Sequence, residues 1–141
     1  MSRVFSAVLL SLLLAPGASA QEPDPSLQLV LKMIKAFTAQ DPETMSATLA
    51  DDIGWYAILG DTLTVQAESK EALLTGLRSY FESTPSAHSE VEESFVSGKY
   101  VVIRERGYWH EDGVQRSQSS LAVYEVRNGL IARVWYFPAE E

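Results

Sequence analysis

An α+β domain, with helices in its first half and a bent antiparallel sheet in its second, is what this sequence predicts. Three observations carry that reading. Apolar residues recur at the 3–4 spacing of amphipathic helices before residue 82. From His88 onward, strand-like alternation is punctuated by turn signals at Ser97-Gly98-Lys99, Glu111-Asp112-Gly113 and Arg127-Asn128-Gly129. The last of these sits in the closing run 121–137, where Asn-Gly separates two β-rich arms. That pair is a strong hairpin signal because both residues tolerate positive φ. Both arms are apolar at odd and even positions, so both faces of this hairpin are expected to be covered and the hairpin to lie in the middle of the sheet.

Taken in order, residues 1–20 read as a signal peptide rather than as fold. Arg3 supplies a positive start, residues 4–15 an apolar stretch, and Ala18-Ser19-Ala20 a small-residue cleavage site. The apolar stretch is short for a membrane span of ~20 residues. The domain is then 21–141. Asp24 caps a helix over 27–39 with Pro25 at its first position, and Leu27, Val30, Leu31, Ile34 and Phe37 form its stripe. Asp41-Pro42-Glu43 repeats that grammar for a short second helix to about residue 49. Strands are expected over 53–59 and 62–66, with a turn at Gly60-Asp61 between them. Ser69 caps a third helix that places Leu73, Leu77, Tyr80 and Phe81 on one face and ends at Ser83-Thr84-Pro85-Ser86. Strands over 88–96, 100–110, 114–126 and 130–137 complete the order α-α-β-β-α-β-β-β-β. Helices packed on one face of a curled antiparallel sheet leave an open cone at one end, and such a concavity is the default ligand site.

Composition narrows the function classes. Eleven basic against nineteen acidic residues give a net charge of −8, one unit more acidic once Arg3 leaves with the leader. Nucleic acid and anionic membrane are poor partners for such a field. An exported chain could use disulfides, yet there is no Cys, so a self-sufficient core is expected in a periplasmic or secreted protein. With two His and no His-x-His or Cys-x-x-Cys pattern, neither a metal nor a cofactor is expected.

The element order and several phrases resemble the SnoaL-like branch of the nuclear transport factor 2-like superfamily, of cystatin-like cone fold. They are Ala39-Gln40-Asp41, Leu49-Ala50-Asp51-Asp52, Ser69-Lys70-Glu71-Ala72-Leu73, the run from Tyr124 to Ile131, and Arg133-Val134-Trp135. The resemblance implies the fold but not a reaction, since the superfamily spans isomerases, cyclases, dehydratases, hydrolases and binding domains. Its steroid isomerases use a carboxylate base and an oxyanion hole of Tyr with a protonated Asp. A gapless comparison puts Ala57 at the base, Met33 at the Tyr, and Ser120 or Leu121 at the Asp. None of these can do that work, so ketosteroid isomerisation is not expected. His88-Ser89-Glu90, Gly98 and Glu105-Arg106 resemble a subgroup to which no reaction is attached.

Candidate site residues follow from strand parity. On 100–110, Tyr100, Val102, Arg104, Arg106, Tyr108 and His110 share one face, and Val101, Ile103, Glu105, Gly107 and Trp109 the other. In one reading Arg104, Arg106 and Tyr108 point into the cone and clamp an oxyanion. In the other they form an outer row of charges, with Arg106 paired to Glu90 or Glu92. His88 is either a general base oriented by Glu90 or Glu105 or a strand-end His bonded to a backbone group, and His88, Glu105 and Arg106 are the catalytic candidates. His110, beside a turn, is expected to be exposed. Met33, Phe37, Trp55, Tyr80 and Tyr136 are expected to line the cone, with Tyr56 facing away. Trp135 and Phe137 then lie on the outer face, where two large aromatics suit a homodimer interface. Three functions stay open: a module binding a small amphipathic molecule, a cofactor-free acid/base enzyme (isomerase, dehydratase or hydrolase), and a dimeric scaffold.

Overall fold

A computed structural model describes residues 22–138 of the chain, and the expected leader at 1–20 lies outside them. Helix α1, Pro25–Thr38, begins where Asp24 accepts from the Ser26 backbone N–H at 2.8 Å. Helix α2, Pro42–Thr48, begins where Asp41 accepts from the Thr44 N–H at 3.1 Å. Each proline sits where its missing donor costs no intrahelical bond. Strands β1 (Leu49–Leu59) and β2 (Thr62–Ala67) follow, then helix α3, Lys70–Ser83, capped by Ser69 Oγ accepting from the Ala72 N–H at 3.1 Å. The remaining strands are β3 (His88–Ser97), β4 (Tyr100–Glu111), β5 (Val114–Arg127) and β6 (Leu130–Phe137).

The six strands form one sheet in the order β2-β1-β6-β5-β4-β3, so the β5–β6 hairpin lies at its centre, as the covered faces imply. Asn128 and Gly129 turn it with φ of 52° and 73°, the left-handed pair that a two-residue hairpin loop needs. The α+β architecture is the expected one, with one correction. The β1–β6 pair is parallel, so the sheet is mixed rather than antiparallel throughout. Parallel neighbours require a long crossover, and everything between β1 and β6 supplies it. β1 also starts earlier than expected, at Leu49. The acidic Asp51-Asp52 step looks like loop, yet Leu49 and Ile53 on either side of it are both fully buried.

The helices cover the concave side of the sheet. Val30, Met33 and Ile34 of α1 and Leu73, Leu74 and Phe81 of α3 meet Val101 and Ile103 of β4, Ala122 and Tyr124 of β5, and Ile131 and Val134 of the strand between β1 and β5. A fully buried aliphatic side chain of this kind contributes about 1.5–3 kcal/mol. Gln40 ends α1 in the left-handed region at φ 52°, and its side-chain amide donates to the carbonyls of Pro85 at 2.9 Å and Ala87 at 3.3 Å. Thr38 Oγ1 adds a reciprocal pair with the Ser89 backbone, both bonds 3.0 Å. The end of α1 is thus tied to the segment joining α3 to β3. Among the described residues no helix is long and apolar enough to cross a membrane.

Candidate functional site

Complete burial of Val101 and Ile103 sets the parity of β4, because side chains alternate along a strand. Glu105, Gly107 and Trp109 must then face inward, and they line a cavity of about 720 Å³ between the helices and the sheet. That is within the usual range for small-molecule sites. Met33, Phe37, Trp55, Tyr80 and Tyr136 line it as well. Phe37 stacks on Tyr80 at 6.3 Å between ring centroids, and Trp55 meets Tyr124 edge-on at 6.4 Å. Gly107 leaves the wall bare: a Cβ placed there would meet only the Gln118 carbonyl, at 4.0 Å. A glycine inside a strand weakens it, and it is characteristic of places where another molecule comes close.

Glu105 is the acidic group of this interior. It is paired across the sheet with Ser120 on one side and Val91 on the other. Burial raises its carboxyl above the ordinary range, and hydrogen bonding with the Ser89 side chain offsets part of that rise. Tyr124, 1 % exposed, has its phenol pushed well up, first by burial and then by the charges of Glu105 and Tyr136. Tyr136 is raised by burial, which the nearby Ser120 hydroxyl opposes, and Tyr80 is raised by burial alone. All three phenols therefore stay protonated at neutral pH and can donate. Ser120 Oγ is buried without a hydrogen bond of ordinary geometry. The interior can thus offer a ligand a desolvated carboxyl, phenolic donors and an apolar wall.

The catalytic candidates separate. Glu105 is inside, but Arg106 is on the outer face. Of the two readings of this strand the outer row of charges is the one observed, which corrects the clamping of a ligand in the cone by Arg104 and Arg106. Arg106 Nε holds Glu92 at 2.6 Å, Ser119 Oγ donates to the same carboxylate at 2.9 Å, and Arg104 lies 3.6 Å from Glu93. A bulge between Val91 and Glu93 brings Glu92, rather than Glu90, to Arg106. Those hydrogen bonds hold the Glu92 carboxyl below its usual range. His88 lies at the cavity margin, stacked on Tyr108 at 4.9 Å, while Tyr108 donates to Glu90 at 3.3 Å. His88 Nδ1 is 3.0 Å from the Ser86 carbonyl, which can only accept, so Nδ1 carries a proton. The ring is thus oriented by a backbone group, one of the two readings of His88, and not by Glu90 or Glu105. His110 is exposed, as expected, with its backbone N–H on Ser86 Oγ at 2.9 Å.

Trp135 stacks on Tyr56 at 6.2 Å across the parallel pair, and Phe137 lies beside Leu121 on the same outer face. Among the described residues no group of three or more His, Cys, Asp or Glu is placed to hold a metal ion. Sequence reasoning did not single out Gly107, Trp109, Gln118 and Tyr124 as lining residues. The signal was available for the first two, which share the parity of Val101 and Ile103.

Comparison with known proteins agrees with this geometry. A cystatin-fold protein of uncharacterised role from Novosphingobium aromaticivorans superposes with a TM-score of 0.69 at 27 % identity, covering 79 % of this chain and 96 % of its own. A SnoaL-like polyketide cyclase candidate from Jannaschia gives 0.69 at 15 % identity, covering 86 % and 91 %. A protein of ketosteroid isomerase-like fold from Catenulispora acidiphila, solved with trimethylamine, gives 0.65 at 14 %, covering 77 % and 83 %. At such identities the last two establish the fold alone. No curated protein matches the chain. The sequence pattern of the SnoaL-like domain matches residues 30–134, most of the chain, and the protein belongs to that family.

Proposed function

We propose that the protein binds a small amphipathic molecule inside its cone. The observation that carries this reading is the 720 Å³ cavity with a bare wall at Gly107 and a desolvated carboxyl at Glu105. An interior built only for stability would fill that space, since protein cores pack as densely as organic crystals. The test is Gly107→Leu, which projects a side chain into the cavity from a strand position whose backbone accepts one. Small molecules that co-purify with the wild-type protein, identified by mass spectrometry, are expected to be absent from the variant. An identical set in both sinks the proposal.

A second reading is favoured by Glu105 specifically: a cofactor-free acid/base enzyme. A carboxyl raised by burial is closer to the operating pH of a proton shuttle than an ordinary one. Glu105 would move the proton, with Tyr124 or Tyr136 donating to the oxygen on which charge develops. Arg106, turned outward onto Glu92, has no part in it, while His88 stands at the cavity margin. Deuterium exchange beside the carbonyl of a panel of enolisable ketones, followed by NMR, checks this. Exchange above the buffer rate that Glu105→Gln abolishes is expected, and exchange indifferent to that substitution rules it out.

The outer face supports a homodimer through Trp135 and Phe137, and sedimentation of the wild type against Trp135→Lys decides it. A monomer in the wild type ends that proposal, and with it the scaffold reading. Export is proposed from the sequence of the leader, and a mature N-terminus at Gln21 is its expected signature.

A further inference from the structure

Glu105 lacks a countercharge. It is desolvated on the inner face of β4 with the Ser89 side chain beside it, and neither a lysine nor an arginine lines the cavity among the described residues. The cations on alternate positions of the same strand are turned outward and engaged, Arg104 with Glu93 and Arg106 with Glu92. The ionisable groups that share the cavity with Glu105 are Tyr80 from α3, Tyr124 from β5, Tyr136 from β6, and at the margin His88, Tyr108, His110 and Glu111. None of the phenols can neutralise a carboxylate. Helix α1 contributes no charge at all, only Met33, Ile34 and Phe37.

A desolvated carboxyl reaches neutrality by taking a proton or by receiving a cation. The rest of the lining favours the second route once a ligand is present. Phe37, Trp55, Tyr80, Trp109, Tyr124 and Tyr136 surround the space with aromatic rings. The negative faces of such rings attract cations, most strongly where water is excluded. The net charge of −8 draws cations toward the protein and repels anions. A ligand carboxylate or phosphate would meet Glu105 with neither a lysine nor an arginine in the lining to offset it.

We propose that the cone takes an organic cation, a protonated or quaternary amine on a compact apolar frame, with Glu105 as its counter-ion. The inference rests on the cavity being a ligand site and adds the charge of what enters. The ammonium lies against Glu105 and the ring faces, and the apolar frame packs toward Met33, Ile34 and Leu77.

Benzyltrimethylammonium and its uncharged isostere neopentylbenzene have nearly the same shape and differ in charge. Titrated into the protein at pH 8 and followed by tryptophan fluorescence, the cation is expected to bind about tenfold more tightly or better. In Glu105→Gln the two are expected to bind within about threefold of each other, the isostere unchanged from wild type. A readout that needs no variant is pH. The wild-type affinity for the cation is expected to fall as acid protonates Glu105, while that for the isostere stays level. Equal affinities in the wild type, or a cation preference that survives Glu105→Gln, overturn the proposal and leave the cone as a ligand site. If neither compound binds, the proposal is overturned as well, and the co-purification test with Gly107→Leu then decides the cavity separately.

Discussion

Two carboxyl groups on neighbouring strands, Glu105 and Glu125, have opposite surroundings and are shifted in opposite directions. Glu125, on the outward parity of β5, is 3 % exposed, yet Lys99 Nζ donates to it at 2.9 Å and Arg127 and Arg133 lie at 3.8 and 3.7 Å. The Lys99 hydrogen bond is the main reason its carboxyl falls below the ordinary range, against the effect of burial. Glu105 faces the cone among aromatic rings, and burial raises it. Depth alone does not explain the difference, because Glu125 is the less exposed of the two and yet has the lowered carboxyl. The difference lies in whether the surrounding chain supplies cations. The outer face does, with Lys99, Arg127 and Arg133 all within 3.8 Å of Glu125. The inner face does not, and it leaves space where a partner can come from outside.

Breaking the contrast at its apolar frame gives the largest effect. Ile103→Ala, on the inner face with no exposure, is expected to cost about 2–5 kcal/mol in chemical denaturation. Val102→Ala, one residue away on the outer face, is expected to cost about 1 kcal/mol or less. Similar losses at both positions would mean that the two faces are equally packed. Next comes Gly107→Leu, expected to weaken binding of the co-purifying molecule about a hundredfold, or about 2.7 kcal/mol, while Tm holds or rises.

The two carboxylates sharpen the contrast through pH, with opposite signs. A folded-state pKa raised above the unfolded one, as for Glu105, favours the native state below the unfolded pKa, and that contribution is lost as pH rises through the folded value. Glu105→Gln removes the loss. Its Tm is therefore expected to match wild type below the ordinary glutamate range and to exceed it once pH has risen through the raised value of Glu105. Glu125 has a lowered pKa, so its contribution is present above the unfolded value and disappears as pH falls through the folded one. Glu125→Gln is expected to melt below wild type at pH 7, with the gap closing in acid. Two curves with the same sign would refute the assignment of environments. The smallest effect belongs to the partly exposed Arg106–Glu92 pair. Arg106→Gln is expected to change Tm by no more than about 2 °C and to leave ligand affinity unchanged. A loss of affinity there would bring the oxyanion clamp back into consideration.

Much of the scaffold was legible because its signals are local. Asp24-Pro25, Asp41-Pro42 and Ser69 name their own helix starts, and Asn128-Gly129 names its turn. The parity of β4 was legible in membership but not in direction. Each set holds apolar residues, aromatics and charge, so the choice depended on what α1 and β5 bury against Val101 and Ile103. The arginines left both faces open, since a charged side chain looks functional until its partner, here Glu90 or Glu92, is seen. That partner depended on a bulge which shifted Glu92 into reach, and a one-residue irregularity leaves no mark in the alternation of a single strand. The parallel β1–β6 contact is equally non-local.

Gln40 brings time into the account. Its amide holds the carbonyls of Pro85 and Ala87, in the segment whose Thr84, Ala87 and His88 border the cavity. The expected consequence for a guest of the proposed kind is slower exchange while both hydrogen bonds hold, one of them to Ala87 of the cavity border. Gln40→Gly keeps the left-handed backbone and removes the tether, so stopped-flow measurements are expected to show association and dissociation speeding up in step with their ratio preserved. One side chain outside the cone would thereby govern the tempo of exchange, while Gly107 and Glu105 govern what is exchanged.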